Sequence, residues 1–522
     1  MGIILSRQTV SVALQFHNTI NCKQFYSFRV HEQFAFQVFG VFQKREVCRS
    51  VSLQIKKSLF NQHANILRAL QPEDFVQASR EEVDGVPFSH GGIRVLRKHL
   101  RAVRSKIIGT DENRLSLRSK VWSTIVVHNP PSLWLTINPS DQDPIAQVLV
   151  GADIDLNKFI ATAGPEPDER ARNIASNPFA SAKFFHFIIN TLLEVVLGIK
   201  KTRLGVVHRP GAFGTIQTYI GTVEAQGCGT LHLHMLLWLK DAPPASVMQA
   251  ALKDERFRAR VTNYIKATIR ADIDSKDTNA ILRIPKRPAV SYCRPIDPVK
   301  HEAESIMEEK TLARSVQHHK CNISTCLRKV NGRLECKRRA PFGTADNDWV
   351  NAEGEWGPRR TCPNMNSWNP WVMRSIRANH DARLIMNGGE TCVLVLYMTN
   401  YAFKKQNRSY NTSALFADRL AYHRNQDADD EDIQTYNKRL IQRCANALFT
   451  QREFSGPEVH SYLMGWGDRY ELNKYVPIYL DVVIWVVKQT YPILFKRSVE
   501  SNPVSNKLIP LQKWKELGKQ WK

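Results

Sequence analysis

The chain has 522 residues, of which 43% are hydrophobic, a composition that excludes wholesale disorder and allows a sizeable core. Its 73 Lys and Arg residues against 49 Asp and Glu residues leave a net charge of +24, which predicts a polyanionic partner such as nucleic acid. No run reaches the ~18 apolar residues of a membrane span, and the N-terminus lacks the pattern of a secretory signal, so we expect no membrane partner.

The first part of the chain, 1–120, is predicted to be mainly helical. Apolar residues recur at spacings of three and four over 34–60 and 75–83, as on the buried face of a helix. Lys and Arg are spread through 93–106, which has the pattern of a basic amphipathic helix. This basic face either contacts a polyanion or is the solvated face of a packed helix. We also expect this helical region to be truncated at its start.

A β-hairpin is predicted further along the chain. The segment SLWLTI (132–137), framed by prolines, predicts a strand, and the apolar segment 179–199 predicts a buried helix. Segments 213–226 and 230–239 predict two strands joined by the turn GCG, a pattern typical of an antiparallel hairpin. The second of these strands is therefore expected to lie centrally in an antiparallel sheet.

The remaining elements and changes in composition divide the chain into regions. Helices are predicted over 241–290 and again over 370–405, and the stretch between them is rich in Cys, Arg and Pro. That stretch contains the basic run KRRAPF (337–342), whose charge suits contacts with phosphate. We expect five regions: a helical region at 1–120, a core at 121–290, a Cys/His insert at 291–345, a second part of the core at 346–436, and a C-terminal extension at 437–522.

His232 and His234 mark a candidate metal site. Residues i and i+2 of a strand share one face, so both imidazoles project from the same side of the predicted hairpin. Two imidazoles in this arrangement can hold one divalent cation. Glu224 and Gln226 share a face of the partner strand, and either could supply the third ligand. The alternative is a histidine pair that binds no metal.

Tyr397, Tyr401 and Lys404 mark a candidate nucleophile site. In YMTNYAFKK (397–405) the tyrosines are four residues apart and the lysine follows three residues later, so all three share one face of a helix. A phenol with a pKa near ~10 needs nearby positive charge before it can act as a nucleophile. Beside a metal-polarised phosphodiester, such a tyrosine could form a phosphotyrosine link. The alternative is a tyrosine pair that packs in a core.

A second cluster combines one histidine with three cysteines. The segment HHKCNISTCLRKVNGRLEC contains, in order, His319, Cys321, Cys326 and Cys336, with His318 as a competing nitrogen ligand. Three thiolates and one imidazole can form a tetrahedral structural zinc site. The spacing differs from the usual zinc-knuckle spacing, so buried free cysteines are the alternative.

Several of these motifs, in this order, resemble the Helitron helicase-like N-terminal domain of Helitron transposon proteins. The resemblance is carried first by the strand, hairpin and tyrosine motifs, PSLWLTINPSD, GTVEAQGCGTLHLHMLLWL and YMTNYAFK. Three further segments are similar to the family as well: NPFASAKFFHFIINTLLEVVLG, SYCRPIDP and REFSGPEVHSYLMGWGD. The resemblance therefore extends over about 25–470.

This resemblance implies a HUH-type single-strand endonuclease that nicks and joins DNA at transposon ends in rolling-circle-type transposition. It implies an α+β fold in which an antiparallel-sheet HUH nuclease core is flanked by helices. By motif match, His232 and His234 would be ligands of a catalytic Mg2+ or Mn2+, and Tyr397 and Tyr401 would be the nucleophiles. Because family members carry a similar His/Cys segment, the resemblance also favours a structural Zn2+ in the insert. It further implies a nuclear protein that acts on single-stranded DNA.

Two other functions are weighed against this one. A catalytically inactive DNA-binding remnant of a transposon protein would share the charge and the zinc site, and Cys228 stands where the family usually has an arginine. An ATP-driven helicase is disfavoured, because the sequence has no G-x-x-x-x-G-K-[ST] motif to bind the phosphates of ATP. We expect the helicase domain of the family to be absent from this chain.

Overall fold

The computed structural model describes residues 33–140, 143–151, 166–225, 229–285, 296–323, 326–330, 332–386, 410–425, 432–476 and 480–491. Within these residues the fold is α+β, with helices flanking an antiparallel sheet, as the sequence predicts. Gln226, Tyr397, Tyr401 and Lys404 lie outside the described residues. The chain divides into two units, Met1–Asn473 and Lys474–Lys522, and the elements that position the candidate sites belong to the first.

Helices form the described part of the N-terminal region, which confirms the prediction made from apolar spacing. They are α1 (Phe34–Ile55), α2 (Ser58–Arg68), α3 (Asp74–Asp84), α4 (Gly91–Arg104) and α5 (Asp111–His128). The start of α5 shows why the sequence folds this way: the Thr110 hydroxyl accepts the backbone N–H of Asn113, and two acidic residues occupy the first turn. Such a cap satisfies a free donor and complements the helix dipole.

The sheet begins after these helices. Its first elements are β1 (Leu133–Asn138), α6 (Pro144–Val150), α7 (Pro167–Ser176), α8 (Pro178–Thr191), β2 (Ile199–Thr202), β3 (Gly205–His208), β4 (Pro210–Gly211), β5 (Gly214–Ala225) and β6 (Leu231–Leu239). Helix α8 continues as a π-helical turn over Leu192–Val196. The predicted strand, buried helix and hairpin are all present at these positions.

The second half of the chain adds further helices, two small strand pairs and two more strands of the main sheet. Its elements up to the sheet edge are α9 (Ala245–Ala251), α10 (Glu255–Thr268), α11 (Thr278–Arg283), α12 (Glu302–Val316), β7 (Leu327–Val330), β8 (Arg333–Cys336), β9 (Trp349–Val350), β10 (Trp356–Gly357), α13 (Pro370–Ile376) and β11 (Asn379–Leu384). The last are α14 (Thr412–Arg424), α15 (Ile433–Thr450), α16 (Gly456–Leu463), β12 (Arg469–Glu471) and, in the second unit, α17 (Leu480–Thr490).

The main sheet has the strand order β11–β1–β6–β5–β12, with β4 pairing on β5, and these pairs are antiparallel. Strand β6 lies between β1 and β5, so the prediction that the histidines occupy a central strand is confirmed. The hairpin register pairs Glu224 with His232 and Thr222 with His234. This register decides which side chains meet at the candidate site.

Strand β11 corrects one expectation, because the sequence predicted helix throughout 370–405. The helix α13 ends at Ile376, and Arg377 adopts a left-handed backbone conformation with φ of 50°. The next residues alternate between partly and fully buried, with His380, Ala382 and Leu384 facing inward. That alternation is the period of a strand, and pairing with β1 outweighs the helical propensity of the segment.

One face of the sheet forms a large hydrophobic core within the described part of the chain. Leu233, Met235 and Leu237 of β6 lie in a buried cluster with Phe184 and Ile189 of α8. Since neighbouring residues of a strand face opposite sides, this packing directs His232 and His234 to the other face. The core on one face therefore fixes the direction of the histidines on the other.

Helix α8 and its π-turn, Pro178–Val196, are together long and apolar enough to cross a membrane by length and composition alone. Of the most apolar window, 56% is buried inside the protein. The packing of this helix against the sheet accounts for its apolar surface, as is usual for the central helix of a protein core.

The N-terminal helices form a second core with a helix from late in the chain. Val47 of α1, Phe60 of α2 and Leu96 of α4 are buried together with Leu440 and Leu448 of α15. Helix α15 spans the expected boundary at residue 437 and is thus an integral part of the helical bundle.

Candidate metal centres

The first candidate centre is formed by Glu224, His232 and His234 on the face of the sheet opposite the core. The β5–β6 register places Glu224 directly across from His232, and His234 lies two residues further along the same strand. Directly opposed residues of antiparallel strands have side chains on the same face within contact distance. The ligand atoms of the three side chains all lie within 4.8 Å of one another.

Hydrogen bonds orient the imidazole of His234. Its Nε2 atom lies 3.3 Å from Glu224 Oε2, and its Nδ1 atom lies 3.1 Å from the hydroxyl of Thr136 on β1. Trp134 donates its indole N–H to the same hydroxyl at 2.8 Å. The Thr136 oxygen has two lone pairs, so it can accept from both Trp134 and Nδ1–H of His234. That tautomer leaves the Nε2 lone pair available to a cation beside Glu224, and such a hydrogen bond to the other ring nitrogen is common at metal-binding histidines.

Burial keeps His232 in the form that binds metal. The residue is 4% exposed, and its ring centroid lies 5.1 Å from that of His234 with the ring planes 82° apart. Burial, reinforced by His234 and Arg338, lowers the pKa of His232 to about 3. The imidazole is therefore neutral at neutral pH, with a nitrogen lone pair available for a metal.

The donor set fits a divalent cation with open coordination positions. Two imidazole nitrogens and one carboxylate oxygen supply three ligands, fewer than the coordination number of Mg2+ or Mn2+. The Glu224 side chain is 22% exposed while that of His234 is 6% exposed, so the carboxylate marks the more open side of the centre. Further oxygen ligands approaching from that side could complete the coordination.

The second candidate centre is the Cys/His cluster at the β7–β8 hairpin. His319, Cys321, Cys326 and Cys336 bring their ligand atoms within 4.8 Å of one another. His319 Nε2 lies 3.2 Å from Cys336 Sγ and 3.4 Å from Cys321 Sγ. These separations are close to the ~3.8 Å between ligand atoms of a tetrahedral zinc–thiolate site. His319, and not His318, belongs to this group.

The electrostatics of the cluster suit a bound cation. Burial opposes ionisation of Cys336, yet the backbone N–H groups of Ala340 and Arg338 outweigh it and lower the pKa of that thiol. The pKa of Cys321 is raised to about 11 by burial and by its contacts with Cys336 and Cys326. Crowded thiols that compete for ionisation are stabilised as thiolates when a cation neutralises them.

The first centre lies inside a segment that matches a known family. Residues 18–237 match the model of the Helitron helicase-like domain at N-terminus. This segment is therefore similar to the Helitron helicase-like N-terminal domain. The Helitron-like segment includes β1, α8 and the hairpin with Glu224, His232 and His234, and it connects the chain to transposon proteins. A search of curated proteins gives no match to the chain.

The match to the Helitron model does not extend over the other predicted site residues. The Cys/His cluster and the tyrosine motif follow residue 237 along the chain. Thr136, in contrast, lies within the matched segment and was missed by sequence reasoning. A threonine in an apolar strand carries no signal by itself, because its role depends on the β1–β6 register that pairs it with His234.

Proposed function

We propose that the protein nicks and joins single-stranded DNA through a phosphotyrosine intermediate in rolling-circle-type Helitron transposition, as a HUH-type endonuclease. The observation that carries the proposal is the Glu224–His232–His234 group, with ligand atoms within 4.8 Å, on a central strand of the Helitron-like domain. The net charge of +24 supports a DNA partner. The similarity to this family implies transposon ends as the substrate. The protein would act on them in the nucleus.

The proposed chemistry assigns a role to each predicted residue. A bound Mg2+ or Mn2+ would supply Lewis-acid polarisation of the scissile phosphodiester. Tyr397 or Tyr401 attacks phosphorus: a bond forms from the phenolic oxygen, and the bond from phosphorus to the leaving sugar oxygen breaks. Lys404 stabilises the phenolate before the attack. The proton lost by the phenol ends on the leaving sugar oxygen, which becomes a hydroxyl. Because the phosphotyrosine keeps a phosphate ester, a free DNA hydroxyl can reverse the step and join strands.

We further propose that the Cys/His cluster binds a structural Zn2+. The one nitrogen and three sulfur donors match the ligand set that zinc prefers in closed sites. In this role the metal replaces a hydrophobic core for the small β7–β8 hairpin, whose own buried cluster contains little beyond Cys326, Cys336 and Ala340. Zinc would thus hold the hairpin and the basic run that follows it.

Cleavage of a mixed-sequence pool of labelled single-stranded oligonucleotides tests the proposal. We expect the protein to cut the pool when Mn2+ or Mg2+ is added and not without added cation. His234→Ala should reduce cutting by at least ~100-fold, because it removes a ligand and leaves too few to hold the cation. The matched control is His301→Ala, which changes an exposed histidine at the N-cap of α12. This variant should cut the pool normally.

Two results would contradict the proposal. Cutting that persists without divalent cation would show that the histidine centre is not the catalytic site. A protein that binds the pool but never cuts it would favour the inactive DNA-binding remnant instead.

A further inference from the structure

The two candidate centres lie at the same end of the sheet. Asn379, the first residue of β11, donates to the backbone oxygen of Val316 at 2.8 Å and to Gln317 Oε1 at 2.9 Å. Asn379 pairs in register with Asn138, the last residue of β1, and their side chains are hydrogen-bonded at 3.3 Å. The end of α12 is therefore fixed to the last position of β1.

That end of β1 adjoins the histidine pair. In the β1–β6 register, Leu133 lies opposite Leu237 and Ile137 lies opposite Leu233. Continuing this register by one residue places Asn138 opposite His232. Asn379 fixes Gln317 to this edge, and only one residue separates Gln317 from His319 of the Cys/His cluster. The sheet thus holds the Cys/His cluster beside the Glu224–His232–His234 centre.

Arg338 is two residues from the ligand Cys336 and lies within electrostatic range of one ligand from each centre. After the effect of burial, its guanidinium contributes to lowering the pKa of both His232 and His319, one ligand from each group. Arg338 follows Cys336 in a tight turn, which is closed by the hydrogen bond from the N–H of Arg339 to the Cys336 oxygen at 2.8 Å. The positive φ of Arg339, 62°, belongs to the same turn.

The guanidinium of Arg338 is available to a ligand. The residue is exposed, and within the described part of the chain its side chain has no hydrogen bond or ion pair. Arg383 of β11, by contrast, is paired with Asp381 at 2.9 Å. An unpaired cation next to a cation-binding centre is unfavourable unless an anion also occupies the site.

We propose that Arg338 is a phosphate-binding residue of the Glu224–His232–His234 centre, supplied by the Cys/His hairpin. The assignment rests on the proposed function, because the phosphate is that of the DNA strand held at the centre. A planar guanidinium can donate two parallel hydrogen bonds to phosphate oxygens and offset the charge that develops as the nucleophile attacks. The hairpin is thereby part of the DNA-binding site, and the Cys336 ligand fixes the backbone that presents Arg338.

Binding of Mn2+ and of DNA tests this assignment without relying on catalysis. The measurements use the Tyr397→Phe/Tyr401→Phe protein, in which no covalent step can occur, with Arg338→Gln, Arg338→Lys or the control Arg333→Gln added. Arg333 is exposed on β8 of the same hairpin, so its variant removes the same charge from a position remote from the turn. Mn2+ affinity is followed by electron paramagnetic resonance, and affinity for a single-stranded oligonucleotide by fluorescence anisotropy with Mn2+ present.

The assignment predicts opposite changes in the two affinities. Without DNA, Arg338→Gln should bind Mn2+ about threefold to tenfold more tightly, because a repelling charge is removed. With Mn2+ bound, it should bind the oligonucleotide about tenfold more weakly, with Arg338→Lys in between, and Arg333→Gln should change either affinity less than about twofold.

The outcomes separate this assignment from the function on which it rests. Equal behaviour of Arg338→Gln and Arg333→Gln in a protein that binds Mn2+ overturns the role of Arg338 alone. A protein with intact histidines that binds no Mn2+ overturns the proposed function, and the assignment with it.

Discussion

At the scale of single residues, Thr136 connects the sheet to the chemistry proposed for His234. Its hydroxyl lies 3.1 Å from His234 Nδ1 and receives the indole N–H of Trp134 at 2.8 Å. Groups that fix the orientation and tautomer of a histidine ligand typically contribute tenfold to 100-fold to metal affinity. The hydroxyl, rather than the size of the side chain, is therefore the feature that matters at this position.

We predict that Thr136→Val lowers Mn2+ affinity about tenfold to 100-fold, because Nδ1 loses its partner and the ring loses its preferred tautomer. The measurement is a Mn2+ titration by electron paramagnetic resonance. Thr222→Val is a matched control, since Thr222 is also paired in register with His234 but its buried hydroxyl makes no hydrogen bond in the described structure. Equal loss of affinity in both variants would show that packing, not the hydroxyl, supports the centre.

At the scale of secondary-structure elements, the hairpin could be predicted from the sequence and the sheet edge could not. Turn residues and alternating polarity are local signals, so β5 and β6 and the shared face of the histidines were evident. Strand β11 was missed because its register with β1 depends on residues far away in sequence. For the same reason the sequence left Glu224 and Gln226 as alternatives, whereas the register brings Glu224 to both histidines.

The Cys/His hairpin gives a prediction for this scale. Cys326→Ser should release the bound zinc and increase amide exchange in β7 and β8, because few apolar contacts hold the hairpin without metal. Zinc content is measured by metal analysis and exchange by mass spectrometry, and Mn2+ binding at the histidine pair should persist. Cys48→Ser, at an exposed cysteine on α1, should keep its zinc. Zinc retained by Cys326→Ser would argue against this ligand set.

At the scale of the whole Met1–Asn473 unit, a buried ion cluster joins the helical bundle to the sheet. Arg114 of α5 contacts Glu458 of α16 at 2.5 Å and Asp468 at 3.2 Å, and it donates to Tyr462 at 3.2 Å. The backbone oxygen of Asp468 in turn accepts the backbone N–H of Val223 on β5 at 2.8 Å. Burial opposes ionisation of Asp468, but Arg469 and Arg114 outweigh it and lower its pKa to about 2. The cluster therefore stays charged near neutral pH.

We predict that Arg114→Met lowers the free energy of unfolding by about 3–5 kcal/mol, because it removes the buried guanidinium that bridges the carboxylates of Glu458 and Asp468. Chemical denaturation followed by circular dichroism measures the change. Arg101→Met, at an exposed position of α4, removes the same charge and should change stability by less than ~0.5 kcal/mol. Similar stability of the two variants would mean that the cluster does not hold the bundle to the sheet.

The measurement that tests the central claim most directly identifies the amino acid that becomes linked to DNA. The protein is incubated with single-stranded DNA and Mn2+, denatured and digested, and the peptide that carries a nucleotide is sequenced by mass spectrometry. The account predicts a phosphate ester on Tyr397 or Tyr401 that requires both the cation and His232 and His234. A nucleotide on any other residue, or an adduct that survives Tyr397→Phe/Tyr401→Phe, would contradict it.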